Sequence, residues 1–365
     1  MRRGTSGVVA VTAGLAVLAV ASSAHATFPG RNGEIAYLDV WGSDVEISTD
    51  LYRVCANGRH DRKLLSGGVW DMGSAAFSPD GRWLAADGHI GYNDDTHISV
   101  GEVTGKRLRR VSRPPRLALD TAPVWSPKGG AIAFTRTRYD SDYDVRSTAV
   151  RIYSNGHGRF LARGFGPAWS VRDRIAFMRG NPNEFRTQQI YVASVKHGAA
   201  HRLTAGYAPG WSPDGRRLVF TRQVEGKVGP DGETAVEIAV ISADGTGLRR
   251  LADGDGASWS PDGRRIALVT PDGYAAVTAP SGRRLRRLGR TDSTPVFSPD
   301  GRWLAVTWRD DLYVVRVTGG HRRYVTSPRS GEDLDLLAWR PLPTSASLSS
   351  PLANTATGRQ ATLCR

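Results

Sequence analysis

The chain is poor in groups that could carry chemistry. Its eight histidines mostly stand singly in turns or loops, and the i,i+4 pair His197 and His201 spans a β turn, where it is not a helical zinc pair. No phosphate loop or dinucleotide fingerprint occurs. Turns such as Asp244-Gly245-Thr246-Gly247 lack the acidic series of a calcium loop. No metal site and no cofactor is therefore expected. Only two cysteines are present, Cys55 and Cys364, and the one long apolar stretch is Val8 to Ala21. That stretch follows Arg2-Arg3 and ends in Ala24-His25-Ala26, a small-x-small cleavage pattern. It is short for a membrane span. Residues 1–26 thus read as a cleaved export signal, the mature chain starting at Thr27 with no remaining span.

What the chain has in abundance is one phrase. Trp-Ser-Pro-Asp-Gly-Arg-Arg stands complete at Trp211 and Trp259, and with Phe in place of Trp, and Trp in place of the last Arg, at Phe77 and Phe297. Drifted copies begin at Trp125 and Trp169, and Trp339-Arg340-Pro341 closes the series. Successive aromatics lie 48, 44, 42, 48, 38 and 42 residues apart. A period near forty without helical patterning means an all-β propeller, one small antiparallel sheet per repeat. Ser-Pro-Asp-Gly is a hairpin turn: Pro presets φ, Ser and Asp bond nearby backbone, and Gly takes the positive φ. The apolar runs that follow, such as Leu218-Val219-Phe220 and Ile266-Ala267-Leu268, read as the second strand of each blade.

Six phrases open six blades. A further blade starts at the turn Phe28 to Gly33 without an inner strand, which Leu336-Leu337-Ala338-Trp339 would supply from the other chain end. The prediction is seven four-stranded blades over 27–342, closed by that C-terminal strand. A six-bladed ring would make the weak repeat at Trp169 spurious. From 343 to 365 the chain is rich in Ser, Thr, Ala and Pro and reads as a flexible tail. This tail can return Cys364 to blade one, so export predicts a Cys55–Cys364 disulfide, with two separate thiols as the alternative.

The phrase resembles the PD40, or WD40-like, repeat of the TolB C-terminal propeller family, over essentially the whole mature chain. Proteobacterial TolB proteins carry an extra N-terminal domain and usually six blades, and this chain leaves no room for that domain. The same repeat fronts prolyl-oligopeptidase-like enzymes, but no Gly-x-Ser-x-Gly elbow follows here. TolB-like proteins are protein-interaction modules, so the resemblance implies a binding scaffold.

Two regions are candidates for binding. Asp71, Asp120, Asp255, Asp292 and Asp335 lie four to six residues before the repeat aromatics and are expected to ring one mouth of the central channel. Loops between second and third strands open on that face. They are long in the first five blades and carry Trp41, Asp44, Tyr92, Asp94, Asp95, Tyr139, Asp142, Tyr143, Asp144 and Phe185. Exposed aromatics among charges typify recognition surfaces. The inner strands, such as Ala122-Pro123-Val124 and Gly166-Pro167-Ala168, are small and mostly apolar and offer no convergent acids or bases.

The expected function is a non-enzymatic, exported scaffold that binds a protein or peptide in the envelope, secreted, wall-associated or periplasmic. An enzyme acting on a glycan or lactone is the first alternative. The second rests on charge. The net charge is +14, with arginine clusters at Lys106 to Arg110, Arg283 to Arg287 and His321 to Arg323 on predicted outer strands. Such charge guards exposed edges or binds an anionic wall polymer; nucleic acid is not an expected partner of an exported chain.

Overall fold

The Ser-Pro-Asp-Gly turn assembles identically wherever it is intact. In the computed structural model the hydroxyls of Ser78, Ser212, Ser260 and Ser298 donate to the aspartate two residues on, at 2.5–2.6 Å. Each also accepts the N–H five residues on, at 2.9–3.0 Å. The same aspartate oxygen accepts the second following N–H at 3.0 Å. Burial works against charge at Asp214 and Asp262, but the serine hydroxyl, the backbone N–H and the neighbouring arginines outweigh it and hold both carboxyls below the usual range. The turn thus satisfies its own polar groups, and the chain can reverse inside a packed ring.

The structure describes residues 28–43, 46–64, 70–71, 73–90, 96–103, 108–229, 232, 234–330, 333–343 and 364. Residues 1–26, read above as an export signal, and nearly all of 344–365 lie outside them. Seven four-stranded blades form a ring. Blade two contains Ala75–Phe77, Trp83–Ile90, His97–Glu102 and Arg109–Arg110. Blade three contains Ala118–Trp125, Ala131–Tyr139, Val145–Ser154 and His157–Arg163. Blade four contains Phe165–Trp169, Arg174–Arg179, Gln189–Ser194 and Ala200–Ala205, so the weak Trp169 repeat is a complete blade. Blade five runs from Tyr207–Trp211 to Arg249–Asp253, blade six from Asp255–Trp259 to Arg286–Arg290, and blade seven from Val296–Phe297 to Arg323–Thr326.

Blade one joins the chain ends. Asp333–Leu342 pairs antiparallel with Arg31–Ser43, in the register Ile35 to Trp339 and Ala36 to Ala338. Glu46–Val54 and Arg62–Lys63 complete the sheet. The short strand Trp70–Asp71 pairs with both Thr49 and Ile90, so blades one and two form one continuous hydrogen-bonded sheet. Arg340 of the closing strand donates to Glu34 at 2.7 Å and to the Gly81 carbonyl at 2.7 Å. Arg53 reaches the other oxygen of Glu34 at 3.2 Å. All three side chains are buried. Burial opposes the Glu34 charge, but Arg340 and then Arg53 overcome it and hold the carboxyl below its ordinary value. Gly81 lies so close to the closing strand that a Cβ there would stand 1.8 Å from the Pro341 carbonyl oxygen. The expected disulfide is present: Cys364 is bonded to Cys55, with Cα atoms 5.3 Å apart and a sequence separation of 309.

The core is a series of layers between blades. Ala176, Ile190 and Val192 of blade four pack against Trp211, Leu218 and Phe220 of blade five. Val219, Ile238 and Val240 on the opposite face pack against Trp259, Ile266 and Leu268 of blade six. Trp125 and Trp211 donate their indole N–H to carbonyls of the preceding blades, Ala76 at 2.9 Å and Ala168 at 3.0 Å. Arg174 and Arg217 lie 5.0 Å above the rings of Trp211 and Trp259. The arginines after the turn therefore join blades as well as guarding the surface.

Candidate partner-binding face

The loops leaving each second strand share one face with the segments entering the inner strands, because backbone bonds tie them together. Tyr139 N–H donates to Leu117, Gly206 to Gln188 and Gly254 to Val236. In blade three, Asp140 folds the loop by accepting the N–H groups of Asp142 and Asp144, each at 3.0 Å. Tyr143 is thereby held at φ +63° with its ring 48% exposed. Asp142 and Asp144 are exposed beside it. Tyr139 is half-buried, and burial pushes its hydroxyl pKa up, so it forms the base of the loop.

Blade four links loop to channel. Phe185 opens the short 3-10 turn Phe185–Thr187 and is 41% exposed. Its ring lies 4.7 Å from that of buried Tyr207. The Tyr207 hydroxyl donates to Asp255 at 3.2 Å, and its pKa is pushed up by burial and then by the Asp255 charge. Asp255 also accepts the Thr221 hydroxyl at 2.7 Å and the Gly256 N–H at 2.6 Å. Phe185, Tyr207 and Asp255 thus form one contact chain from surface to inner strand.

At blades seven and one, carboxylates crowd together. Asp292 is exposed and accepts the Arg309 N–H at 2.8 Å. Arg309 and Asp310 occupy a two-residue hairpin turn with φ +50° and +64°. Asn-Gly is the usual occupant of such a turn, because side chains other than Asn and Asp resist positive φ. Local desolvation, then the charge and hydrogen bond of Asp333, then Asp292 and Asp311, push the Asp310 carboxyl up. Desolvation, then Asp333 and Asp292, do the same at Asp335. Among the described residues no Lys or Arg forms an ion pair with Asp292, Asp310, Asp333 or Asp335. The cluster is an uncompensated acidic patch.

Asp120 departs from expectation. It is fully buried and holds Arg136 through two 2.6 Å hydrogen bonds, so it faces the space between blades two and three and not the mouth. Its register opposite Arg136 gives the cause, since the two side chains share a sheet face. Asp44, Tyr92, Asp94 and Asp95 lie outside the described residues, as do the side chains of Trp41 and Asp71.

Sequence reading missed three residues. Asp310 and Asp333 complete the acidic patch; the dipeptide Asp310-Asp311 in a short turn was the available signal. Asp87 is buried and accepts the N–H groups of Gly73, Ser74 and Ala122 and the Ser74 hydroxyl. Burial pushes its carboxyl up. It stands where blade five has Thr221, and it ties blade two to the inner strand of blade three. The small inner-strand residues also have a backbone cause. Ala122, Gly166, Ala208 and Gly256, each three residues before the aromatic, have φ between +49° and +61° at bulges. Their size answers backbone geometry and close packing: a Cβ on Gly166 would meet Met178 at 2.4 Å.

No protein-family model and no curated protein matches the sequence. Among solved structures the chain is similar to TolB from Acinetobacter baumannii at 21% identity, covering 67% of this chain and 63% of that one, with a TM-score of 0.48. It is similar to an oligogalacturonate lyase in complex with manganese at 12% identity, covering 79% and 98%, with a TM-score of 0.57. It is also similar to a puromycin-hydrolyzing peptidase of Mycobacterium tuberculosis at 16% identity, covering 85% of this chain and 55% of that one, with a TM-score of 0.57. The chain therefore spans less than two thirds of the TolB chain it matches. What it shares with the structures of TM-score 0.57 is the fold, a bladed β-propeller.

Proposed function

We propose that the chain is an exported, non-enzymatic propeller that binds a basic segment of an envelope protein or peptide across its acidic, aromatic face. The observation that carries this reading is the patch of Asp292, Asp310, Asp333 and Asp335, with Asp310 held in it by a left-handed turn. Arg309, which precedes Asp310 in that turn, has a side chain that resists positive φ, and such cost concentrates at functional positions. Like charges held together gain from an opposite charge. The exposed rings of Phe185 and Tyr143 on the same face supply anchors of the kind that dominate interfaces.

The test uses an oligolysine peptide as probe and crosslinking in the native envelope as the second readout. Asp310→Asn with Asp333→Asn should weaken peptide binding roughly tenfold, about 1.4 kcal/mol, and leave the melting temperature unchanged or higher. Because Asp310 and Asp335 have raised pKa values, wild-type binding should fade as pH drops through them, and the double variant should show a flatter profile. Equal binding by the two proteins would remove the patch as the binding site. A propeller enzyme acting on a glycan is the second reading, favoured by the likeness to oligogalacturonate lyase. Cleavage of oligogalacturonate in the presence of manganese would move the assignment to it.

A further inference from the structure

Between blades two and three lies a cationic cleft with a volume of about 500 Å³. That is within the range of sites that hold small ligands. Its walls carry Arg109, Arg110 and Arg113 from the end of blade two, and Arg136 and Arg151 from blade three. Among the described residues no acidic side chain lines it.

The arrangement follows from strand register. Phe134 pairs with Arg151 and Arg136 with Ala149, so both arginines stand on the sheet face turned toward blade two. Asp120 neutralises Arg136 through its two short hydrogen bonds. Among the described residues no carboxylate forms an ion pair with Arg151, whose side chain donates to the Gly158 carbonyl at 3.4 Å. Burial, and next the Arg136 charge, lower the Arg151 pKa, and the Asp120 charge offsets them only in part.

Blade five shows what is missing. There the arginine equivalent to Arg136 is Arg222, and it pairs across the strands with Glu237. Glu237 bridges Arg222 and Arg250 at 2.6 and 2.9 Å. In blade three the place of Glu237 is taken by Ala149, and the place of Ala239 by Arg151. Blade three has thus lost the bridging carboxylate and gained a cation. Arg136 and Arg151 are half-buried at the floor of the cleft, and Arg109, Arg110 and Arg113 stand exposed around them.

We propose that this cleft binds a multivalent oxyanion, a short segment of an anionic polymer whose phosphates or carboxylates take the place of the missing carboxylate between Arg113 and Arg151. Guanidinium groups present paired N–H donors that match both kinds of oxyanion. Tyr153 at the cleft wall offers a half-buried ring against which the ligand backbone can rest. Gly156 and Gly158 leave the entrance open, since a Cβ on either would meet nothing within 4 Å.

The proposal is tested by calorimetric titration of the intact protein, at low salt, with tripolyphosphate, trigalacturonate and neutral maltotriose. The wild type should bind at least one of the two anions and not maltotriose; the preferred anion identifies the source as phosphate or carboxylate. Arg113→Gln with Arg151→Gln should weaken that binding by roughly tenfold or more. Gly158→Glu places a carboxylate next to Arg151 at an unstrained position, and it should weaken binding as much without lowering the melting temperature. Arg249→Gln with Arg283→Gln removes the same charge from distant exposed positions and should change affinity by no more than about twofold. Absence of wild-type binding to either anion overturns the proposal. So does an equal loss in the distant variant, which would show that net charge alone draws the anion.

Discussion

Blade five and blade one are the same four-stranded sheet reached by different routes. Blade five is one uninterrupted stretch, Tyr207 to Asp253, whose strands meet through short turns. Its charged network of Arg222, Glu237, Arg250, Asp253 and Lys227 sits at the surface with arginine side chains 35% and 49% exposed. Blade one has no such continuity, because its innermost strand is separated from the rest by most of the chain. It carries what blade five lacks: a buried Glu34 shared by Arg53 and Arg340, and the disulfide. Where the backbone does not hold neighbouring strands together, buried ionic and covalent clamps do.

The severest way to break the comparison is to cut blade one open. Truncation after Ser330 removes the closing strand and leaves two exposed edges, and the protein should aggregate or lose cooperative unfolding. Truncation after Pro343 should keep the ring closed. A soluble, cooperatively unfolding 27–330 fragment, seen by calorimetry, would show that closure is dispensable. The next largest effect belongs to the disulfide. For a loop of 309 residues the chain-entropy model gives a ceiling of about 5–6 kcal/mol. Cys364→Ser should lower the melting temperature strongly, and reductant should have no further effect on that variant. A wild type that melts alike with and without reductant would refute this.

The smallest effect separates buried from exposed charge. Glu34→Gln leaves two buried guanidinium groups without their carboxylate and should cost about 3–5 kcal/mol. Glu237→Gln in blade five should cost about 1 kcal/mol or less, because its arginines reach water. The pH dependence gives the sign. The folded pKa of Glu34 lies below its unfolded value, so its contribution is complete above the unfolded carboxylate range and fades as pH falls through the folded value. The Glu34→Gln variant should therefore lose less stability on acidification than the wild type. Parallel acid-unfolding curves would assign the acid sensitivity elsewhere.

The ring was readable because its cause is local and repeated. A turn that closes its own hydrogen bonds, followed by an apolar run, marks a blade even at Trp169, where Asp173 at φ +54° stands in for the glycine. The closing strand was readable from one unpaired turn at Phe28 and one surplus aromatic at Trp339. The candidate site was read less well, because facing depends on register and bulges. Asp120 stands five residues before its aromatic, as Asp292 does, yet its register opposite Arg136 puts it in an ion pair between blades. Asp310 and Asp333 meet only across the closed seam, and no local pattern brings them together. Likewise Arg113 and Arg151 become neighbours through the juxtaposition of two blades.

The seam also sets an order of events during folding. Blades two to seven can each form once their own forty or so residues are available. The strand Arg31–Ser43 must wait for a partner that is the last strand of the chain. Until then it is paired on one side only, with its other edge bare. The late intermediate is therefore a nearly complete ring with a single open position, shaped to accept one strand. Its lifetime is set by how soon its own C-terminus arrives, in competition with the same strand from a second molecule.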